Sequence, residues 1–112
     1  MNKVVLMGRL VKDPDCFTSK GDESILVCRY TLAVSRRRRP DEADFIGCVC
    51  FGKLADLADE YFRKGMRVCV SGYLQSGSYK NNEGETVYTL DVVVDGQEFA
   101  SDRKEESKKR RR

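Results

Sequence analysis

One stretch of this chain, KLADLADEYFRKG, carries a helical pattern. Its Leu54, Leu57, Ala58, Tyr61 and Phe62 recur at i, i+3, i+4, i+7 and i+8, one apolar stripe closing against Gly65. The remaining apolar runs are β-rich and short: KVVLMGRLV (3–11), ILVCRYTLAV (25–34), DFIGCVCF (44–51), MRVCVSGYL (66–74) and VYTLDVVV (87–94). A chain written this way must bury one helix against a sheet of about five strands.

The connections fit that order. Residues 12–24 are polar, carry Pro14 and Gly21, and read as a loop; NNEG at 81–84 is a turn between the fourth and fifth strands. Gly8 marks a bulge or sharp bend in the first strand. Arg63 and Lys64 suit the carbonyl end of the helix. The expected architecture is all-β with one helix: a five-stranded barrel of the OB-fold kind, helix between strands 3 and 4, long hairpin between strands 4 and 5. At 112 residues, residues 1–100 form one domain and 101–112 a basic, solvated tail.

In the third strand Ile46, Cys48 and Cys50 share one face, while Phe45, Gly47, Val49 and Phe51 share the other. Two cysteines one residue apart on a strand lack the turn that converges a chelating pair, so they read as small core residues. Five scattered cysteines suit reduced thiols in a cytoplasmic protein better than a disulfide framework. No apolar run is long enough to span a bilayer, so no membrane partner is expected. Without histidine, a glycine-rich phosphate loop or a carboxylate pair in a cleft pattern, neither enzyme, metal site nor cofactor is expected.

The second strand puts Leu26, Cys28, Tyr30, Leu32 and Val34 on the core side and Arg29, Thr31 and Ala33 beside the two phenylalanines. Phe45 and Phe51 are about 20 Å apart at strand rise, a spacing that suits successive bases of an extended strand. Aromatic rings with Lys and Arg around them are how unpaired nucleic acid is held. Packing against a loop or another subunit explains the same rings, and both readings are open. Basic candidates are Lys3, Arg29, the run Arg36, Arg37, Arg38 and Arg39, then Lys53, Arg63, Lys64 and Lys80. Residues 1–100 hold 14 basic against 15 acidic side chains, so polyanion binding there depends on placement, not total charge.

Across MNKVVLMGRLVKDPD, YTLAVS, ADFIGCVCFGK, FGKLADLADEYFRKG and VYTLDVVVD, about residues 1–99, the chain resembles the bacterial-type single-stranded DNA-binding protein family. The resemblance implies an OB-fold protomer that assembles as a homotetramer and coats single-stranded DNA in replication, recombination or repair. Three of the family's four stacking positions fall on Phe45, Phe51 and Tyr79. The fourth, often tryptophan, falls near Arg38, where a guanidinium stands instead. Family basic positions match Lys3, Lys53, Arg63 and Lys64, while two arginines leading into the hairpin are replaced by Gln75 and Gly77. The family's flexible linker and acidic tip have no counterpart in a segment reading SDRKEESKKRRR, so recruitment of replication enzymes through such a tip is not expected. An RNA-binding module, and an oligomeric adaptor that has lost DNA binding, are the alternatives.

Overall fold

The computed structural model describes residues 1–21 and 24–100. The expected basic tail, 101–112, lies outside the described residues. Seven elements follow one another: β1 (Val4–Leu10), β2 (Asp15–Thr18), β3 (Leu26–Ser35), β4 (Ala43–Phe51), α1 (Lys53–Tyr61), β5 (Arg67–Lys80) and β6 (Thr86–Phe99). The strands pair in the order β1-β5-β6-β4-β3-β2, and β1 also pairs β3 through Arg9↔Ala33 and Leu10↔Leu32. That last pairing closes a ring of five strands. β2 hangs outside it on β3. All pairings are antiparallel except β4 with β6.

The five strands read from the sequence are the five members of the ring, and the barrel expectation holds. Four details need correction. Residues 12–24 are not wholly loop, because Asp15–Thr18 pair with β3 as a short edge strand. Strands 4 and 5 of the sequence reading run further, to Lys80 and from Thr86 to Phe99, so the long hairpin is paired β-structure almost to its tip. The helix ends at Tyr61 rather than near Gly65: Phe62 turns extended to bury its ring. Gly8 makes no bulge, since β1 stays in register with β5 from Val4 to Arg9. The irregularity sits at Ser71/Gly72, where Ser71 faces Gly96 and Gly72 faces Val94, leaving Asp95 extra on β6.

Two close approaches explain two glycines: Gly8 where β1 meets β3, and Gly72 at the β5–β6 irregularity. A Cβ on Gly8 would stand 2.6 Å from the Ala33 carbonyl oxygen, and one on Gly72 would overlap the Val93 carbonyl. At each place the backbone of the facing strand comes too near for a side chain.

Inside the ring lie Leu10, Tyr30, Leu32, Cys48, Cys50, Val68, Val70, Val92 and Val94. α1 plugs one end with Ala55, Ala58 and Phe62. Alanine at the contact lets the helix sit close, and Phe62 meets Tyr30 and Phe99 edge-on at 5.7 and 5.4 Å. Burying such a ring contributes about 1.5–3 kcal/mol. The Tyr30 hydroxyl donates to Gln97 Oε1 at 2.8 Å, and Gln97 Nε2 donates to the Leu54 carbonyl at 2.6 Å. This relay ties β3, β6 and α1, and among the described residues no buried side-chain nitrogen or oxygen is left unpaired.

The reading of all five cysteines as reduced is overturned for two. Cys16 and Cys28, directly paired across β2 and β3, form a disulfide. Their adjacency follows from β2, the strand absent from the sequence reading. Cys48, Cys50 and Cys69 are free.

Candidate nucleic-acid interface

β4 alternates as its sequence requires. Cys48 and Cys50 are buried in the core, and Phe45 and Phe51 point out, 69% and 48% exposed. Burial pushes the Cys48 thiol from 9.0 up to about 12, with the neighbouring Cys50 and Asp91 adding to it. Burial likewise pushes Cys50 up to about 11, against a backbone hydrogen bond from Cys28 that lowers it. Both therefore stay protonated near neutrality, which suits packing rather than ligation or nucleophilic chemistry. Among the described residues no cluster of three His, Cys, Asp or Glu could hold a metal ion.

The outer face is built by register. Phe17, Val27 and Phe51 form one cross-strand row over β2, β3 and β4. The next row runs Asp15, Arg29, Val49, Val93 and Tyr73. A third sets Thr31 opposite Gly47 on one side and Asp91 opposite Gln75 on the other, and Phe45 lies further along β4 opposite Ala33. These rows enclose a groove of about 570 Å³, walled by Phe17, Phe51 and Tyr73, floored by Val27, Val49 and Val93, with Arg29 and Asp91 in its lining. Arg29 Nη1 stands 3.5 Å from Asp91 Oδ2.

The structure brings some sequence candidates together and separates others. Phe51 and Arg29 line the groove, and Phe45 shares its face. Tyr79 lies on the same side of β5 as Tyr73 and Gln75, out along the hairpin, with its ring exposed. Lys3 precedes the Val4↔Gly72 pair, and Asn2 exchanges two hydrogen bonds of 2.8 Å with the Leu74 backbone, so Lys3 stands beside Tyr73. Lys53 opens α1 two residues after Phe51. Lys80 takes the opposite face of β5 from Tyr79.

The arginine run divides. Arg36 bonds Asp44 Oδ1 at 3.0 Å and Glu42 Oε2 at 3.2 Å, and Arg39 reaches Glu42 Oε1 at 3.5 Å. Arg37 and Arg38 are exposed and make no ion pair among the described residues. Arg63 donates to the carbonyls of Asp59 at 2.9 Å and Phe62 at 2.6 Å, closing the helix end. Lys64 follows it, its backbone N–H held by Asp13 Oδ1 at 2.8 Å. Neither residue lines the groove.

Phe17 and Tyr73 are groove residues that the sequence reading did not select. The signal for Phe17 was a single aromatic next to Cys16 in a segment too short to show alternation. Tyr73 was visible only as a sheet-surface aromatic.

The model of the single-strand binding protein family matches residues 1–100. The single-stranded DNA-binding protein of Clostridium perfringens is 48% identical over 99 residues, covering 88% of this chain and 65% of that one. Single-stranded DNA-binding protein 1 of Staphylococcus aureus is 44% identical over 103 residues, with 88% and 60% covered. The corresponding protein of Halalkalibacterium halodurans is 38% identical over 112 residues, with 96% and 65% covered. The chain thus spans less than two thirds of the length of these relatives. With the barrel, the helix position and three relatives in agreement, the chain belongs to the single-strand binding protein family.

Proposed function

We propose that this chain binds single-stranded DNA without general sequence preference, as a protective coat in replication, recombination or repair, and not as an enzyme. The observation that carries this is one outer face bearing Phe45, Phe51 and Tyr79, all exposed, beside an apolar groove. Exposed rings cost the free protein hydration and pack little in the protomer; a stacked base covers them, contributing about 1–3 kcal/mol each. Arg37, Arg38, Lys3 and Lys53 then follow the phosphates around that face. The other basic candidates are tied up locally or turned elsewhere and contribute less.

We infer the domain to be residues 1–100, with the basic segment 101–112 adding salt-sensitive affinity. A homo-oligomer, in the tetrameric form, is part of the same proposal. Supporting it are Val5 and Met7, exposed on the outer side of β1, and Leu74, Tyr88 and Leu90, exposed on the opposite side of the hairpin from Tyr79. Among the described residues no helix is long and apolar enough to cross a membrane.

The test is anisotropy of a labelled dT oligonucleotide at low and high salt, with duplex DNA and matched RNA as competitors. Tight binding that outlasts salt, with duplex competing poorly, is the expected result. Binding that collapses with salt and accepts duplex equally would reduce the activity to a generic polyanion grip. RNA competing better than DNA would move the assignment to an RNA-binding module.

A further inference from the structure

Beyond sequence-tolerant stacking, Phe17 and Tyr73 join Phe51 as aromatic walls of the groove, and Arg29 and Asp91 add a charged pair to its lining. We propose that the groove is a guanine-preferring subsite, in which Asp91 and Arg29 read the edge of one base whose face lies against Phe17, Phe51 and Tyr73. The proposal deepens, and rests on, the reading of this chain as a single-stranded DNA binder.

The groove selects a base over a phosphate by charge. Among the described residues Arg29 is the one cation in its lining, and Asp91 Oδ2 sits 3.5 Å from it. Asp15 flanks Arg29 on the other side, across β2. A phosphate entering there would meet a carboxylate for every cation. A neutral planar ring meets three aromatic side chains and a valine floor instead, in a volume within the roughly 300–1,000 Å³ of small-ligand clefts.

Asp91 Oδ1 rests over Gly47, where a Cβ would come within 2.7 Å of it. Because residue 47 is glycine, the carboxylate can take that place on β4, with Oδ2 turned to Arg29. Among the described residues no hydrogen-bond donor other than Arg29 is paired with Asp91. A carboxylate accepts two adjacent N–H donors, one on each oxygen, and guanine presents such a pair in N1–H and its 2-amino group. Guanine also offers O6 and N7 as acceptors for a guanidinium. Thymine presents one N–H between two carbonyls, and those carbonyls oppose a carboxylate. Adenine presents a single amino group beside a ring acceptor. Stacking alone would favour both purines; only the edge contacts separate guanine from adenine.

The experiment measures affinity, by competition at high salt, for oligo-dT and for the same length carrying one central dG or one central dA. The expected result is about fivefold tighter binding of the dG oligonucleotide than of the dA one, the lower end of what a bidentate pair supplies. Asp91→Ala, checked for folding by circular dichroism, should bring the dG and dA affinities together whatever their absolute values. Gly47→Ala should do the same by displacing the carboxylate. Tight, salt-resistant dT binding with dG equal to dA overturns the subsite and leaves the DNA-binding reading intact. A dG preference that survives Asp91→Ala also overturns it. Failure of all three oligonucleotides to bind overturns both.

Discussion

Cys16 and Cys28 stand opposite each other on β2 and β3, their Cα atoms 4.1 Å apart, and a disulfide joins them. β2 has few other attachments: four residues, paired on one edge only. The bridge therefore holds an edge strand that contributes Phe17 to the groove. Reduction by a dithiol, or Cys16→Ser, should lower stability by about 2–3 kcal/mol, read as a shift in the urea midpoint. Dithiol should have no further effect on Cys16→Ser. Equal midpoints with and without reductant in the native chain would show the bridge to be energetically idle.

The exposed rings separate affinity from stability. Phe45→Ala and Tyr79→Ala should each weaken dT binding by about 1–3 kcal/mol, and Phe51→Ala by a similar amount. Thermal midpoints of the first two should move little, since both rings protrude from the protomer. If binding to dT is unaltered in a triple variant, the oligomeric adaptor becomes the better reading.

Arg36 and Arg37 are neighbours in sequence and should differ in binding. Replacing Arg37 and Arg38 together by Ala should reduce the slope of log affinity against log salt by about one to two. Arg36→Ala should leave that slope nearly unchanged, because its guanidinium is already shared by Asp44 and Glu42. Equal slope changes would mean the acidic partners release Arg36 to the DNA.

Core thiols set an alkaline limit. Cys48 and Cys50 are pushed up to about 12 and about 11, and unfolding returns them to 9.0. The unfolded chain therefore loses these protons first. This contribution to stability is complete below about pH 9 and is lost as pH rises through 11 to 12. Urea midpoints across that range should fall, and alkylation at pH 8 should label the half-buried Cys69 well before Cys48 or Cys50. Prompt labelling of all three in the folded protein would contradict the burial.

At the β5–β6 irregularity, Gly72→Ala should cost at least about 1–3 kcal/mol, since a Cβ there meets backbone rather than a movable side chain. Gly8→Ala should behave alike. Unchanged urea midpoints for both would show that the strands can part without penalty.

What the sequence made legible follows from where the apolar pattern was long enough to read. β3 and β4 alternate over nine or ten residues, so their two faces, the core thiols and the outward phenylalanines could be assigned residue by residue. The helix stripe was equally plain. β2 was not, because DCFT holds one apolar ring between polar neighbours and owes its pairing to β3 rather than to its own composition. With β2 went Phe17 and the disulfide. Charge was legible only as a count: that Arg36 is spoken for by Asp44, and Arg63 by helix carbonyls, depends on chain folding that no run of arginines reveals.

The β5–β6 hairpin has a kinetic consequence. From Val68↔Phe99 out to Lys80↔Thr86 its two strands pair around a single short turn, with Asn81 accepting from the Gly84 N–H at 3.0 Å. Ring closure elsewhere demands distant partners, such as Cys48 with Val92 or Val4 with Gly72. Loop-closure entropy therefore favours the hairpin as the first large structure to assemble, with the β1–β5 pairing, whose partners lie furthest apart in sequence, last. Substitutions along the hairpin should slow folding, and those on β1 facing β5 should chiefly speed unfolding, an ordering that φ-values would confirm or reverse. The arm carrying Tyr79 would then be shaped before the barrel that it serves.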